Sequence, residues 1–158
     1  MSEQRDYLSK AQLLWDEDCA YQSGELIVSL IPAGSRPVWA ATLLHNVLRY
    51  VPYTPEFDEV VDITQHSRRW PEALAAFHRV RTLRQEETHD RVYDTVAALA
   101  ENVAKVTYNA SNPTVPFDRD AGPRAVADFK RILDAVADPA LCSRAWPLVA
   151  GQERIASW

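Results

Sequence analysis

"RQEETHDR", Arg84 to Arg91, carries no apolar side chain, yet it sits inside the longest periodic region of the chain. Before it, Leu74, Phe77, Val80 and Leu83 recur at helical spacing; after it, Val92, Val96, Leu99, Val103 and Val106 are spaced like heptad positions. Whether these halves form one helix or two decides the architecture. At about 100° per residue, Phe77 and Val92 lie only about 60° apart around a common axis, so an unbroken helix nearly preserves its apolar face. The pattern therefore predicts one long central helix from Trp70-Pro71 to about Asn109, with an exposed or kinked middle at residues 86–90.

The flanking sequence is also helical. Leu8, Ala11, Trp15 and Cys19 mark an amphipathic helix over about residues 2–22, stopped near Gly24. "ELIVSLI", Glu25 to Ile31, is too short for its period to assign. Its bracketing by Ser23-Gly24 and Pro32 favours a short buried helix over a strand. Ser35 and Pro37 open a helix striped by Trp39, Leu43, Val47 and Tyr50, because proline suits a first turn whose N–H groups lack partners. Thr54-Pro55 starts another, with Glu56, Asp58 and Glu59 where the helix dipole favours anions. Gly122-Pro123 precedes Val126, Phe129, Leu133 and Val136, and Asp138-Pro139 begins a last helix that Pro147 should end. The expectation is an all-α, single-domain helical bundle of five to seven helices spanning residues 1–158, with a peripheral tail.

Composition agrees. Apolar residues at 47% and charged residues at 25% are ordinary globular values, and four glycines are too few for a turn-rich β-sandwich. A net charge of −5 argues against nucleic acid, which needs a concentrated basic surface. Arg68, Arg69, Arg79, Arg81, Arg84 and Arg91 alternate with Glu72, Glu86, Glu87 and Asp90, which predicts a salt-bridged, solvated face. An acidic domain suits a basic protein partner. No apolar leader opens the chain and no stretch approaches a membrane span, so a cytoplasmic protein with no membrane partner is expected. Cys19 and Cys142 both fall in apolar helical patterns and read as buried free thiols, although a pairing between them stays open.

No nucleotide-binding loop, metalloprotease helix or nucleophile elbow is present. Glu86 and His89 have the E-x-x-H spacing with which helices offer two metal ligands on one face, and Asp90 stands four after Glu86. Two-metal bundles use two such pairs; only one occurs here. A polar helix surface, with Glu87 paired to Arg91, explains the same residues. "DRDAG", Asp118 to Gly122, fails as a calcium loop because glycine, proline and phenylalanine occupy the fifth, sixth and twelfth positions. Asp120 fits instead as a carboxylate at the start of the next helix.

The remaining constellation surrounds "YNASNPTVPFDRDAGP", Tyr108 to Pro123. Glu101, Lys105 and Tyr108 share one helix face, and Glu101 precedes Lys105 in the favourable order for an i,i+4 ion pair. Tyr108, Asn109, Asn112, Phe117, Asp118 and Asp120 follow in a link longer than the 2–8 residues usual between bundle helices. Pro113 and Pro116 stiffen it. Phe117 would anchor it while Asp118, Arg119 and Asp120 point outwards. Asparagine and aspartate are ordinary turn formers, so a structural loop is one explanation. A recognition surface is the other.

Three function classes follow. The first is a small protein-binding domain (an inhibitor, an immunity-like protein or a regulatory adaptor) using Lys105, Tyr108, Asn109, Asn112, Phe117, Asp118 and Asp120 in and beside loop 109–122. Its mark would be a solvent-facing apolar or acidic patch around Phe117 to Asp120. The second is a helical enzyme or ligand-binding protein with a site at Glu86, His89 and Asp90. The third is a homo-oligomeric structural component. No cofactor is indicated. Trp15 and Trp39 read as core, and Trp70 and Trp146 as packing over helix borders.

Overall fold

The computed structural model describes residues 2–66, 69–86 and 90–152. Among them are eight α-helices, two single 3-10 turns and no strand. The helices are α1 (Ser2–Asp16), α2 (Ala20–Leu30), α3 (Arg36–His45), α4 (Pro55–His66), α5 (Trp70–Glu86), α6 (Arg91–Ser111), α7 (Ala121–Val136) and α8 (Pro139–Val149). The all-α expectation is met, but with more elements than the five to seven anticipated.

The expected long central helix is instead a helical hairpin. α5 and α6 are separate, and Asp90 caps α6: its Oδ1 accepts the Tyr93 N–H at 2.9 Å. The two then run antiparallel. Trp70 at the start of α5 meets Tyr108 near the end of α6, and Arg84 near the end of α5 meets Asp94 near the start of α6. The apolar stripes on either side of "RQEETHDR" therefore face each other across an interface instead of continuing one line. Folding back buries both stripes; an unbroken rod would leave each to find another partner.

α6 is the spine. It packs against α3, α4, α5 and α7, and small residues at Ala97, Ala100 and Ala104 let those neighbours approach from several sides. Burial is consequently almost all round from Val96 to Val106, where even Glu101 and Asn102 are enclosed. Trp39, Phe57, Leu99 and Phe129 belong to one cluster of buried side chains. Trp39 also donates its indole N–H to the Val149 carbonyl at 2.8 Å, tying α3 to the end of α8.

The N-terminal helix predicted over residues 2–22 is broken in two. Asp18 has φ 66°, and Asp18 N–H to Trp15 O with Cys19 N–H to Leu14 O closes α1 in a Schellman arrangement. Aspartate tolerates this left-handed conformation better than most residues, so no glycine marks the break. Gly24, expected as a stop, lies inside α2. A Cβ there would stand 2.9 Å from the Pro123 Cα, so the glycine permits α2 to touch α7. Gly122 does the same from the other side, where a Cβ would meet Val28 at 2.7 Å.

Other expectations are corrected in detail. Pro147 lies inside α8, and Trp146 packs its ring 6.2 Å from that of Trp15. Both thiols are free but neither is buried: Cys142 is exposed and Cys19 half-buried at the N-cap of α2. The tail from residue 153, including Trp158, falls outside the described residues. No single helix among the described residues is long and apolar enough to cross a membrane.

Candidate functional site

The loop between α6 and α7 is built on Asn109. At the end of α6 its side chain faces back along the chain: Oδ1 accepts the Phe117 N–H at 2.7 Å, and Nδ2 donates to the Asp118 carbonyl at 2.7 Å. One amide thus substitutes for a pair of backbone partners, as asparagine does in turns. Asn112 donates to the Tyr108 hydroxyl at 3.2 Å, holding the first residues of the loop to the last turn of α6.

Asp118 is turned inwards, against expectation. Only 17% of its side chain is exposed, and its carboxylate receives Lys105 Nζ at 3.4 Å, the Arg124 guanidinium, and the Asp120 N–H at 3.0 Å. Burial alone would raise the Asp118 pKa; the Asp120 N–H, Arg124 and Lys105 outweigh it and hold the carboxyl below its ordinary value. Asp120 occupies the N-cap position of α7 but makes no capping bond with its side chain, which stays exposed.

Lys105 does not pair with Glu101. Its ammonium sits over the rings of Phe77 and Phe117, at 5.3 and 5.4 Å from their centroids, with Asp118 beside it. Glu101 is buried and bonds instead to Arg84 at 2.9 Å and Arg81 at 3.2 Å across the hairpin. Four of the arginines are salt-bridged as expected, mostly between helices: Arg79 with Glu59, Arg81 with Glu101, Arg84 with both Asp94 and Glu101, and Arg69 with Glu72 within α5; Arg91 has no carboxylate partner among the described residues, and Arg68 lies outside them. Asp128 on α7 completes this buried polar layer, taking bonds from Asn102 at 2.8 Å and Arg131 at 2.6 Å. Burial pushes the Asp128 carboxyl up, while Asn102 and Arg131 pull the other way. Every cation along this groove has a carboxylate partner. It is a neutralised clamp between α5, α6 and α7.

With the polar groups used internally, the outer surface of the loop region is aromatic. Phe117 packs edge-on against Phe77 at 4.9 Å and Tyr108 at 5.6 Å, and Tyr108 meets Trp70 at 5.7 Å. This is a continuous row of rings from the start of α5 to the loop. Trp70 remains 43% exposed, Phe117 40%, and Val115 beside it in the loop 65%. The structure thus gathers Lys105, Tyr108, Asn109, Asn112, Phe117 and Asp118 into one cluster and leaves Asp120 at its margin. Trp70, Phe77 and Val115 belong to the same region and were missed; the antiparallel return of α5 brings in the first two, and no local pattern reports that.

Of the second candidate set, two members lie among the described residues. Asp90 spends its carboxylate on the α6 cap, Glu86 is exposed as the last residue of α5, and His89 lies outside the described residues. No group of three histidine, cysteine or acidic side chains able to hold a metal ion occurs among the described residues. Compared with known proteins, the chain matches no family model, no curated protein and no solved structure.

Proposed function

We propose that this is a protein-binding domain that docks a partner on the Trp70–Tyr108–Phe117 face. The observation that carries the reading is the row of half-exposed rings, each in edge contact with the next. Tryptophan and tyrosine dominate binding hot spots, and rings already held in place lose little entropy when covered. The clasp at Asn109 and the hub at Asp118 serve as its rigid support. With a net charge of −5, the suited partner is a protein segment that presents aliphatic or proline side chains between basic flanks. Lys105 and Asp118 then act by holding the surface in shape, and the surface itself is apolar.

The test is capture from the source organism's extract at low salt, comparing the wild type with Trp70→Ala, Phe117→Ala and Leu13→Ala. Leu13 is an exposed apolar residue on α1 and serves as the control. A partner kept by the wild type and Leu13→Ala, lost from the other two, and cross-linked to residues 112–118 supports the reading. Each ring truncation should weaken the isolated complex by about tenfold, a hot-spot-sized loss of about 1.4 kcal/mol. Equal retention by all four proteins overturns it. So does a concentration-dependent dimer abolished by Phe117→Ala, which would assign the face to a second copy of the chain.

A further inference from the structure

The loop has a second side. Behind Pro116, between the end of α2, the start of α3 and the end of α6, lies a cavity of about 440 Å³. Val28, Trp39, Val106 and Pro116 contribute apolar wall, and among the described residues the charged side chains lining it are Arg36 and Arg119. We infer that this cavity binds a small organic anion, with a carboxylate or phosphate head held by the two arginines and an apolar body against the tryptophan and valines.

The charge pattern is what sets the cavity apart. Acidic residues outnumber basic ones 22 to 17 in this chain, and arginines 49, 69, 79, 81, 84, 124 and 131 each have a carboxylate partner. Arg36 and Arg119 have none among the described residues; Arg5 and Arg91 have none either, but of these four only Arg36 and Arg119 line the cavity. Arg36 is half-buried and donates Nε–H to the Ile31 carbonyl at 3.0 Å, which orients its guanidinium without neutralising it. An anion seated between the half-buried Arg36 and the exposed Arg119 would take charge-assisted hydrogen bonds from both guanidinium groups. The volume falls within the range of small-molecule sites, and apolar walls with a few converging polar groups are their usual make-up. α3 begins at Arg36 and α7 just before Gly122, so the positive ends of two helices open on the same space and strengthen the field.

Octanoate, octyl phosphate and uncharged octanol are suitable probes, titrated calorimetrically into the folded protein at low salt. Octanoate or octyl phosphate should bind at one site per chain and octanol at least about tenfold more weakly; which anion binds tighter separates a carboxylate from a phosphate site. Arg36→Gln/Arg119→Gln should weaken the anion by at least about tenfold and leave octanol unchanged. Arg5→Gln, which removes one charge on α1 as Arg119→Gln does at the cavity, should have no effect. Ala110→Phe fills the cavity without altering charge and should abolish binding of both. Arg119 is exposed and without a carboxylate partner, so Arg119→Gln alone folds normally and provides the charge test if the double variant does not. Binding of octanol as tight as octanoate, binding unchanged by Arg119→Gln and Ala110→Phe, or no heat at millimolar anion would each overturn the assignment.

Discussion

Asp118→Asn is the substitution that most directly examines how the loop is held. It keeps the size of the side chain and an acceptor for the Asp120 N–H, and removes only the charge. Three contacts feel the change. Arg124 is half-exposed and can turn to water, so its share is at most about 1 kcal/mol. The Asp120 N–H bond persists. Lys105 is different: 14% of its side chain is exposed, and without Asp118 its ammonium keeps the rings of Phe77 and Phe117 but has no carboxylate partner among the described residues. At 3.4 Å and an effective permittivity of 20, the lost attraction is about 5 kcal/mol before desolvation. The net value of a charged hydrogen bond is about 1.5–3 kcal/mol. The expected loss is therefore about 2 kcal/mol, a fall of about 1 M in the urea midpoint at an m-value near 2 kcal/mol/M.

Asp120→Asn is the comparison. Asp120 is 57% exposed, and its one ion pair among the described residues is at 3.9 Å, so its removal should change stability by less than about 0.5 kcal/mol. Urea unfolding of both variants, followed by far-ultraviolet circular dichroism, separates the two roles. The pH profile adds an independent check. The folded Asp118 pKa lies below its unfolded value, so its contribution is complete above the ordinary carboxylate range near about pH 4 and is lost as pH falls through the depressed folded value. The gap between wild type and Asp118→Asn should accordingly close on acidification. Equal midpoints for the two variants, or a gap that widens in acid, would refute the inward, load-carrying position of Asp118.

Two stability predictions concern the backbone. Gly24→Ala gains about 1 kcal/mol of helix propensity but drives a methyl to 2.9 Å from the Pro123 backbone, which cannot rotate away, so overpacking of about 2–3 kcal/mol should win and lower Tm by a few degrees. Gly34→Ala, with nothing within 4 Å, should be neutral or slightly stabilising in the same scan; parallel behaviour of the two would disprove close α2–α7 contact. Ala137 ends α7 at φ 49° and ψ 42°, a left-handed conformation costing an L-residue about 1–2 kcal/mol. Ala137→Gly removes that cost against about 0.4–1 kcal/mol of added unfolded-chain freedom. Tm should rise by about 1–3 °C, and an unchanged or lower value would count against the cap.

Features governed by near neighbours could be read before the fold was known. Thr54-Pro55, Trp70-Pro71 and Asp138-Pro139 each stand at the start of a helix, because proline and the capping groups act within one turn. Glu25 to Leu30 of "ELIVSLI" are helical as expected, but Ser23-Gly24 does not mark the start, since α2 begins at Ala20, and within the stretch only Ile27 is buried in the helix. The hairpin break had a local signal that the face-preserving arithmetic overrode: Asp90 is a favourable N-cap, and Asp94 stands in the first turn of α6. Asp18 offered none, since its left-handed geometry belongs more often to glycine. Partners across helices were beyond reach in principle. Nothing at i±4 announces that Glu101 pairs with Arg81 and Arg84 in preference to Lys105, or that Gly24 is small for the sake of Pro123. Those facts depend on which helix returns beside which.

The same limit explains why Asp118 was expected to point outwards with Arg119 and Asp120, of which only the latter two are exposed. Composition identified a stiff polar segment, and polar residues were assumed to face water. Asn109 and Asp118 instead satisfy backbone groups and a largely buried ammonium, and that use of the polar side chains is what leaves Phe117 and Val115 outside. Held this way, the segment contributes to two surfaces at once, since Pro116 and Arg119 line the cavity behind while Phe117 joins the rings in front. A wall shared by two sites couples them whenever it has two arrangements, and the coupling must be reciprocal. Here the wall is fixed at Asn109, at Asp118 and at two prolines, which leaves little freedom for a second arrangement. An anion in the cavity should therefore change partner affinity on the ring face by less than about threefold, and a larger effect would mean that the Asn109 clasp opens.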